Sequence, residues 1–274
     1  MSFGIVARNS LRTFRTLLNQ VNSYQNSLRW KFLKPASTCD DYLEGHMLVV
    51  KNSSYVKLAN KCVRSFLFFH PNSKIVVHVD SSTHKLCRSV FSDLIKKFLV
   101  NLKEIENCDS QIWQVAKVNL ILNLNGGNAF VMNADLNWNG PLPTLHGPTL
   151  FTKEFSFQNK SPYREIEQAY FKDFSTSISM YNTSFVFHGS SGEIVRQFKV
   201  ELDRAWSIIL QSIEADLIGR DDQIFVSRLI EQIAISVAFP LAFGQVGVLK
   251  DVDQINDGRF VESSYFGATS GANE

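Results

Sequence analysis

The sequence predicts an α/β fold in which helices flank a mixed, mostly parallel β-sheet. From His46 onward, short apolar runs alternate with amphipathic stretches, which is the pattern of repeated strand–helix–strand units. The chain has 274 residues, of which 45% are hydrophobic, and this is enough to bury the core of one large domain or two small ones. No internal repeat or low-complexity tract interrupts the pattern.

The composition excludes several classes of protein. The formal net charge is +2 and charged residues make up 20% of the chain, so no overall charge bias favours a nucleic-acid partner. The cysteines are widely separated and form no Cys-x-x-Cys pair, which argues against a structural zinc site and a disulfide framework. They are Cys39, Cys62, Cys87 and Cys108. No run of about 18 apolar residues is present, so we expect a cytoplasmic protein without a transmembrane helix.

Residues 1–45 are predicted to form a basic helical extension ahead of one domain at residues 46–274. Between Met1 and Thr38 there are six basic residues and no acidic one, and apolar residues recur near helical spacing. A basic amphipathic helix of this kind can contact a membrane surface, which would make the protein membrane-associated. The alternative, which we favour, is a helix packed on the domain with its basic face in water.

The elements of the domain follow from hydrophobic periodicity and from residues that begin or end helices. Strands are predicted at Met47–Val50, Ile75–Val79, Leu102–Ile105, Ala129–Met132 and Ser184–Phe187. Helices are predicted after a Ser54 cap, over Lys85–Phe98, Ser110–Asn123 and Glu193–Ile213, and from Asp221 or Asp222 to Gln232. The segment between Leu150 and Tyr181 lacks clean periodicity and is expected to be an excursion between the two halves.

One predicted strand ends in a pair of polar residues. The apolar run Ala129–Met132 is followed directly by Asn133, Ala134 and Asp135. Strands of α/β proteins place their carboxyl ends at the ligand crevice, and oxygen ligands at such an end suit Mg²⁺ or Mn²⁺. An isolated Asn-x-Asp can also simply form the turn that ends a strand, so the motif needs agreement from the rest of the chain.

Further segments line up with this motif in a fixed order. They are Lys51–Lys57, Trp113–Leu122 containing Lys117, Phe130–Asp135, Tyr181–Phe187 and Asp221–Gln223. The ordered set resembles the GT-A glycosyltransferases, and most closely the glycogenin-like and galactinol-synthase-like retaining family. Lys117 precedes Asn133 by sixteen residues, which matches the spacing in that family. The resemblance extends from about Leu48 to Gly267.

The resemblance implies a fold, an activity and two partners. The fold would be a GT-A-like mixed sheet flanked by helices. The activity would be that of a hexosyltransferase that moves a sugar, with retention, from a nucleotide-sugar donor. The donor is expected to be linked to UDP, and the acceptor to be a carbohydrate or another hydroxyl compound. Such a reaction depends on leaving-group stabilisation and on positioning of the substrates.

The resemblance also implies roles for residues around the reaction centre. Asn133 and Asp135 stand at the metal and ribose positions of an Asp-x-Asp motif. Lys117 would be the cation near the donor phosphates or sugar, although it can equally be a solvated helix residue. Asp222 and Gln223 would be acceptor or reaction-centre groups, and the alternative for Asp222 is a helix cap.

The remaining donor contacts are implied in the same way. Asn52 and Tyr55 would contact the nucleobase, and the alternative for Tyr55 is core packing. Asp80 follows a strand on the expected ligand side and could meet the uridine, or it could form a strand-end turn. Asn182, together with Ser184, would line the sugar subsite.

Two departures from the family pattern concern the metal. Asn133 replaces the first aspartate of Asp-x-Asp, and Ser264 stands where the family has a late histidine. Losing a carboxylate and an imidazole weakens the expected Mn²⁺ or Mg²⁺ site at Asn133 and Asp135. His188 is a candidate substitute ligand, although a lone strand-end histidine is more often structural. These departures favour an alternative function, a non-catalytic GT-A-like module that binds a nucleotide or a glycan.

Overall fold

A computed structural model of the chain describes residues 42–50, 53–105, 113–124, 127–154, 179–189, 193–214, 220–249 and 261–263. All of these belong to one compact unit, Cys39–Glu274. The predicted N-terminal extension lies outside the described residues except for its last four positions, and its membrane contact stays a prediction. No helix in the described part of the chain is long and apolar enough to span a bilayer.

Four parallel strands form the first half of a seven-stranded sheet. They are β1 (Glu44–Val49), β2 (Lys74–Val79), β3 (Val100–Glu104) and β4 (Ala129–Met132), in the spatial order β3-β2-β1-β4. The helices between them are α1 (Ser53–Phe69), α2 (Ser81–Val90), α3 (Ser92–Lys96) and α4 (Trp113–Leu122). Val49 and Val79 are fully buried, as expected for β-branched residues on a strand covered by helices.

This strand order creates a point at which the direction of winding reverses. The chain leaves β1 toward β2 and β3 on one side, and later returns to add β4 on the other side of β1. Connections that follow β1 and β4 therefore diverge, and open α/β sheets bind ligands in the crevice at such a point. The carboxyl ends of β1 and β4 are at Val49 and Met132.

The second half of the sheet is largely antiparallel. It contains β6 (Thr149–Glu154), β7 (Met180–Phe187) and β8 (Gly247–Val248), in the order β4-β7-β6-β8. β7 runs antiparallel to both β4 and β6, and β8 runs parallel to β6. Two further short strands, β5 (Leu136–Trp138) and β9 (Val261–Ser263), form a separate antiparallel pair.

The sheet separates two hydrophobic clusters. In β4, Ala129 and Val131 contact one cluster, while Phe130 and Met132 contact the other, so the strand is apolar at every position. The first cluster includes residues of α4, α5 (Glu193–Glu214) and α6 (Arg220–Phe243). The second includes residues of α1, α2 and the β1–β2 pair. Because both faces of β4 are buried, its sequence shows no alternation.

The predicted α/β class, with a mostly parallel mixed sheet between helices, is confirmed. The helix predicted over Lys85–Phe98 is instead two helices, α2 and α3. The first begins at Ser81, and Phe91 separates the two. Asp222 lies inside the first turn of α6 rather than at its cap, because the helix begins at Arg220. That helix also continues past Gln232 and through Pro240, since its residues there pack in the core. Strands β5, β6, β8 and β9 were not predicted.

Candidate functional site

The candidate site lies at the carboxyl end of β4, where β7 begins beside it. The backbone N–H of Asn133 donates to the carbonyl of Ser184 at 2.8 Å, which extends the β4–β7 pairing by one step. The side-chain Nδ2 of Asn133 donates to the Ser184 hydroxyl at 3.2 Å. Asn133 is therefore held at two points against β7, and it remains partly exposed.

β7 carries a bulge at this edge. Leu150 of β6 pairs with Val186 and Thr152 pairs with Asn182, so three residues of β7, Thr183 to Phe185, lie opposite the single residue Phe151. The Oδ1 of Asn182 accepts from the Ser184 N–H at 2.8 Å. Bulges bend a strand and re-aim its side chains. Here the bend brings Asn182 and Ser184 to the same edge as Asn133.

Lys117 lies beneath the bulge and not at the open edge. Its side chain is 1% exposed, and its Nζ donates to the carbonyl of Thr183 at 2.9 Å and to the Thr183 hydroxyl at 3.3 Å. It also forms an ion pair with Oε1 of Glu231 at 2.9 Å. All three N–H donors of the amine are engaged in the interior. The role of a cation near the donor phosphates, which the resemblance implied, stays a prediction beside these contacts.

Asp135 is also directed into the protein. Its side chain is buried, and its carboxylate is close enough to Cys62 of α1 to add to the effect of burial in raising the pKa of that thiol. The Cys62 Sγ lies 3.6 Å from the Asn133 carbonyl. The Asn-x-Asp turn therefore packs on α1. The other described cysteine, Cys87, is likewise a buried free thiol.

The described residues do not fit a resident divalent metal ion. They contain no group of three His, Cys, Asp or Glu side chains that could hold one. Asp135 offers one carboxylate that is only 4% exposed, and Asn133 offers a neutral amide. Mg²⁺ and Mn²⁺ favour carboxylate oxygens that are open to water and phosphate. His188, the candidate substitute, is buried beside the ring of Phe198. The predicted Mn²⁺ or Mg²⁺ site stays a prediction.

Asp80 ends β2 at the same edge of the sheet and begins α2. Its Oδ1 accepts from the Thr83 N–H at 2.8 Å and from the Ser82 hydroxyl at 2.9 Å, which is the geometry of a helix N-cap. The Thr83 hydroxyl lies 3.0 Å from the carbonyl of Val49, so the cap also contacts the end of β1. The contact to uridine stays a prediction beside this capping role.

The other predicted residues lie at the starts of two helices. Tyr55 is in the first turn of α1, half-buried against the cluster that includes α1 and α2. Asn52 lies outside the described residues. Asp222 and Gln223 are in the first turn of α6, where the structure describes the backbone but not these side chains. Their predicted roles at the nucleobase and the reaction centre remain predictions.

Two buried polar residues of this region were missed in the sequence. Thr183 and Glu231 complete the contacts of Lys117, with the Thr183 hydroxyl donating to Oε2 of Glu231 at 2.7 Å. A signal was present in each helix, because Lys117 is the one charge of α4 and Glu231 is the last charge of α6, at the start of its apolar second half. Charges of opposite sign in two buried helices predict a pair, but the sequence does not show which helices are neighbours.

The edge therefore presents amides and a hydroxyl, with the nearby charges buried below it. Asn133, Asn182 and Ser184 can donate and accept hydrogen bonds without carrying charge. Such groups suit a ligand rich in hydroxyls and carbonyls, such as a sugar or a nucleoside.

No protein-family model and no curated protein matches the chain. Three solved structures with partial similarity are glycosyltransferases. The apo form of mouse xyloside xylosyltransferase 1 has 11% identity and a TM-score of 0.44, over 76% of this chain and 85% of that one. The galactosyltransferase LgtC with donor and acceptor sugar analogs has 12% identity and a TM-score of 0.45, over 75% and 73%.

The third is the mannosyltransferase PcManGT from Pyrobaculum calidifontis in complex with GDP-Man and Mn²⁺. It has 12% identity and a TM-score of 0.31, over 54% of this chain and 46% of that one. Similarity at these TM-scores and sequence identities is too weak to establish the fold, the donor, the metal or the acceptor of this protein. The proposal below rests on the residues of the edge and on their position in the sheet.

Proposed function

We propose that the protein is a GT-A-like glycosyltransferase that moves a sugar from a nucleotide-sugar donor to a hydroxyl acceptor. One observation carries the proposal. Asn133, Asn182 and Ser184 meet at the carboxyl end of β4, beside the point where the winding of the sheet reverses. That position is where open α/β sheets bind nucleotides, and the order of the sequence motifs agrees with it.

In this function the edge residues bind and orient the donor. The amides of Asn133 and Asn182 would hydrogen-bond to ribose or sugar hydroxyls, and Asn52 and Tyr55 would contact the base. The donor is proposed to be UDP-linked and the transfer to retain the anomeric configuration, as in a hexosyltransferase. The bond between the anomeric carbon and the diphosphate oxygen breaks, a bond to the acceptor oxygen forms, and the acceptor loses its proton. Asp222 and Gln223 would face that centre.

Titration calorimetry with a panel of nucleotide sugars, each with and without Mn²⁺, tests the proposal directly. We expect saturable binding of at least one donor, and a panel without any binding would contradict it. Asn133→Ala should weaken binding by about tenfold, since one or two hydrogen bonds are lost. Asn101→Ala is the matched control, because Asn101 is an exposed asparagine of β3 that lies at the opposite end of its strand from the edge.

A second candidate is a non-catalytic module of the same fold that binds a nucleotide or a glycan. The engagement of Lys117 by Glu231 favours it, because the charge expected to stabilise a departing diphosphate is neutralised inside the protein. A donor-hydrolysis assay separates the two candidates. Release of nucleotide that is lost in Asn133→Ala but kept in Asn101→Ala would identify an enzyme, whereas tight binding without any turnover would identify the module.

A further inference from the structure

The ion pair between Lys117 and Glu231 needs an explanation other than stability. The two side chains are 1% and 6% exposed, and they join α4 to α6 through residues that are 114 positions apart in sequence. Removing two charges from water costs several kcal/mol for each ion, and apolar residues of similar volume often stabilise a core as well or better. The other contacts of the two side chains are therefore the more informative feature of this pair.

What the pair contacts is the bulge of β7. Lys117 donates to the backbone carbonyl of Thr183, and Glu231 accepts from the Thr183 hydroxyl. Thr183 is one of the three residues of β7 that lie opposite the single residue Phe151, and its carbonyl accepts from a side-chain donor, Lys117. Thr183 is 2% exposed, and the two charges fix it from below. The next residue, Ser184, is the one that holds Asn133.

We propose that Lys117 and Glu231 are positioning residues for the donor edge. They hold Thr183 in the bulge, and the bulge places Asn182 and Ser184 beside Asn133. The inference rests on the proposed function for the identity of the ligand, but the placement itself is a property of the strand. Lys117 then contributes to donor binding through the backbone of β7 rather than by touching the donor.

Apolar replacement of both charges tests the proposal. The double variant Lys117→Met/Glu231→Leu leaves no buried charge unpaired, so it should still fold, with a smaller loss of stability than either single replacement causes. It also leaves the Thr183 carbonyl without its donor, so the bulge should loosen. Amide hydrogen exchange at Ser184 and Asn133 reports on the bulge, because both N–H groups bond within this region.

We expect exchange at these two amides to accelerate by about tenfold relative to amides of β2, and donor affinity to fall by a similar factor. The matched control is Ser236→Ala. Ser236 also joins α6 to β7, by accepting from the Tyr181 N–H at 2.9 Å, but it lies outside the bulge. This control should leave the exchange of Ser184 and Asn133 unchanged. A purely structural pair would change global unfolding without selecting these amides.

Unchanged exchange at Ser184 and Asn133 in a folded double variant would overturn the inference. If the double variant does not fold, Thr183→Val replaces it, since this change removes the hydroxyl contacts to Glu231 and Lys117 and keeps the bond from Lys117 to the Thr183 carbonyl. It should accelerate exchange at Ser184 severalfold, and no change there would equally overturn the inference. If the natural protein binds no nucleotide sugar, the proposed function fails, while the exchange measurements still decide whether the pair positions the bulge.

Discussion

The parallel half of the sheet, β3-β2-β1-β4, and the antiparallel half, β7-β6-β8, use polar side chains differently. In the parallel half polar groups bond to close neighbours. His46 lies 3.1 Å from His78 on the adjacent strand and 3.0 Å from Glu44, and Asp80 caps the helix that follows it. In the antiparallel half a charge pair crosses the core from α4 to α6 to reach one residue of β7.

The difference follows from the regularity of the strands. Regular pairing satisfies the backbone of β1 and β2, so polar side chains there remain on the sheet face or at helix starts. A bulge leaves carbonyl and N–H groups that only side chains can satisfy, and Asn182 and Lys117 supply those partners. The candidate site lies where the two halves meet, at Asn133 and Ser184.

The largest expected effect is that of breaking the buried pair on one side. Lys117→Met leaves the Glu231 carboxylate buried without its cation, and we expect a loss of about 3–5 kcal/mol in the free energy of unfolding. Urea denaturation measures it. The matched change in the parallel half is Arg64→Met, which breaks an exposed pair with Asp93 and should cost about 0–1 kcal/mol. Equal losses of unfolding free energy in Lys117→Met and Arg64→Met would contradict the expected difference between the two ion pairs.

A smaller effect is expected from crowding the regular half. A Cβ at Gly45 of β1 would lie 2.6 Å from Cδ1 of Ile75 and 3.0 Å from Cζ of Phe130, so Gly45→Ala should destabilise the protein by about 1–3 kcal/mol. Gly147→Ala serves as the control, because no described atom lies within 4 Å of a Cβ built there. Thermal unfolding of both variants checks this. If Gly45→Ala costs nothing, the packing of β1 against β2 and β4 is looser than described.

The histidine pair predicts a pH dependence confined to the parallel half. Burial, and then the proximity of His46 and Lys103, lowers the pKa of His78 to about 4. The unfolded chain takes up a proton near the ordinary pKa of about 6.5, so stability should fall as the pH drops from about 6.5 toward about 4. We expect His78 to contribute a loss of about 1–2 kcal/mol between about pH 8 and about pH 5.

Urea denaturation at both pH values measures this loss, with His78→Gln as the comparison. The variant lacks the titrating group, so its stability should depend less on pH by the same amount. An identical pH dependence in the two proteins would mean that His78 titrates normally in the folded state.

The smallest expected effect is a gain in stability. Phe98 follows α3 with a left-handed backbone, φ 59, and its ring is 83% exposed. The N–H groups of Phe98 and Leu99 bond back to Ile95 and Leu94, the pattern of a helix end that favours glycine. Phe98→Gly should therefore stabilise the folded protein by about 1 kcal/mol. The gain is measured as a higher midpoint temperature of thermal unfolding. Phe98→Ala keeps the left-handed backbone strain and should bring no gain in stability. A gain from both variants would show that the exposed ring, and not the backbone conformation, destabilises the protein.

Local patterns were enough to predict much of the parallel half. The β-branched run at Ile75–Val79 and the apolar run at Ala129–Met132 are strands, because burial on such strands requires these residue types. The position of Asn133 at the carboxyl end of β4 was also predictable, since it follows directly from where the apolar run stops. Strand β6 was missed because its sequence, Thr149–Glu154, shows no clear alternation beside the bulge.

The chain alone therefore indicates the α/β class, most helices, and an Asn-x-Asp turn at the ligand side of a strand. It cannot indicate that Lys117 meets Glu231, that Thr183 lies in a bulge, or that Asp135 is buried against Cys62. Each of these depends on contacts between residues far apart in sequence, and periodicity reports only on neighbours along the chain. Packing of α4 and α6 against β7 brings the charges together, and this packing places the Lys117 ammonium group against the Thr183 carbonyl.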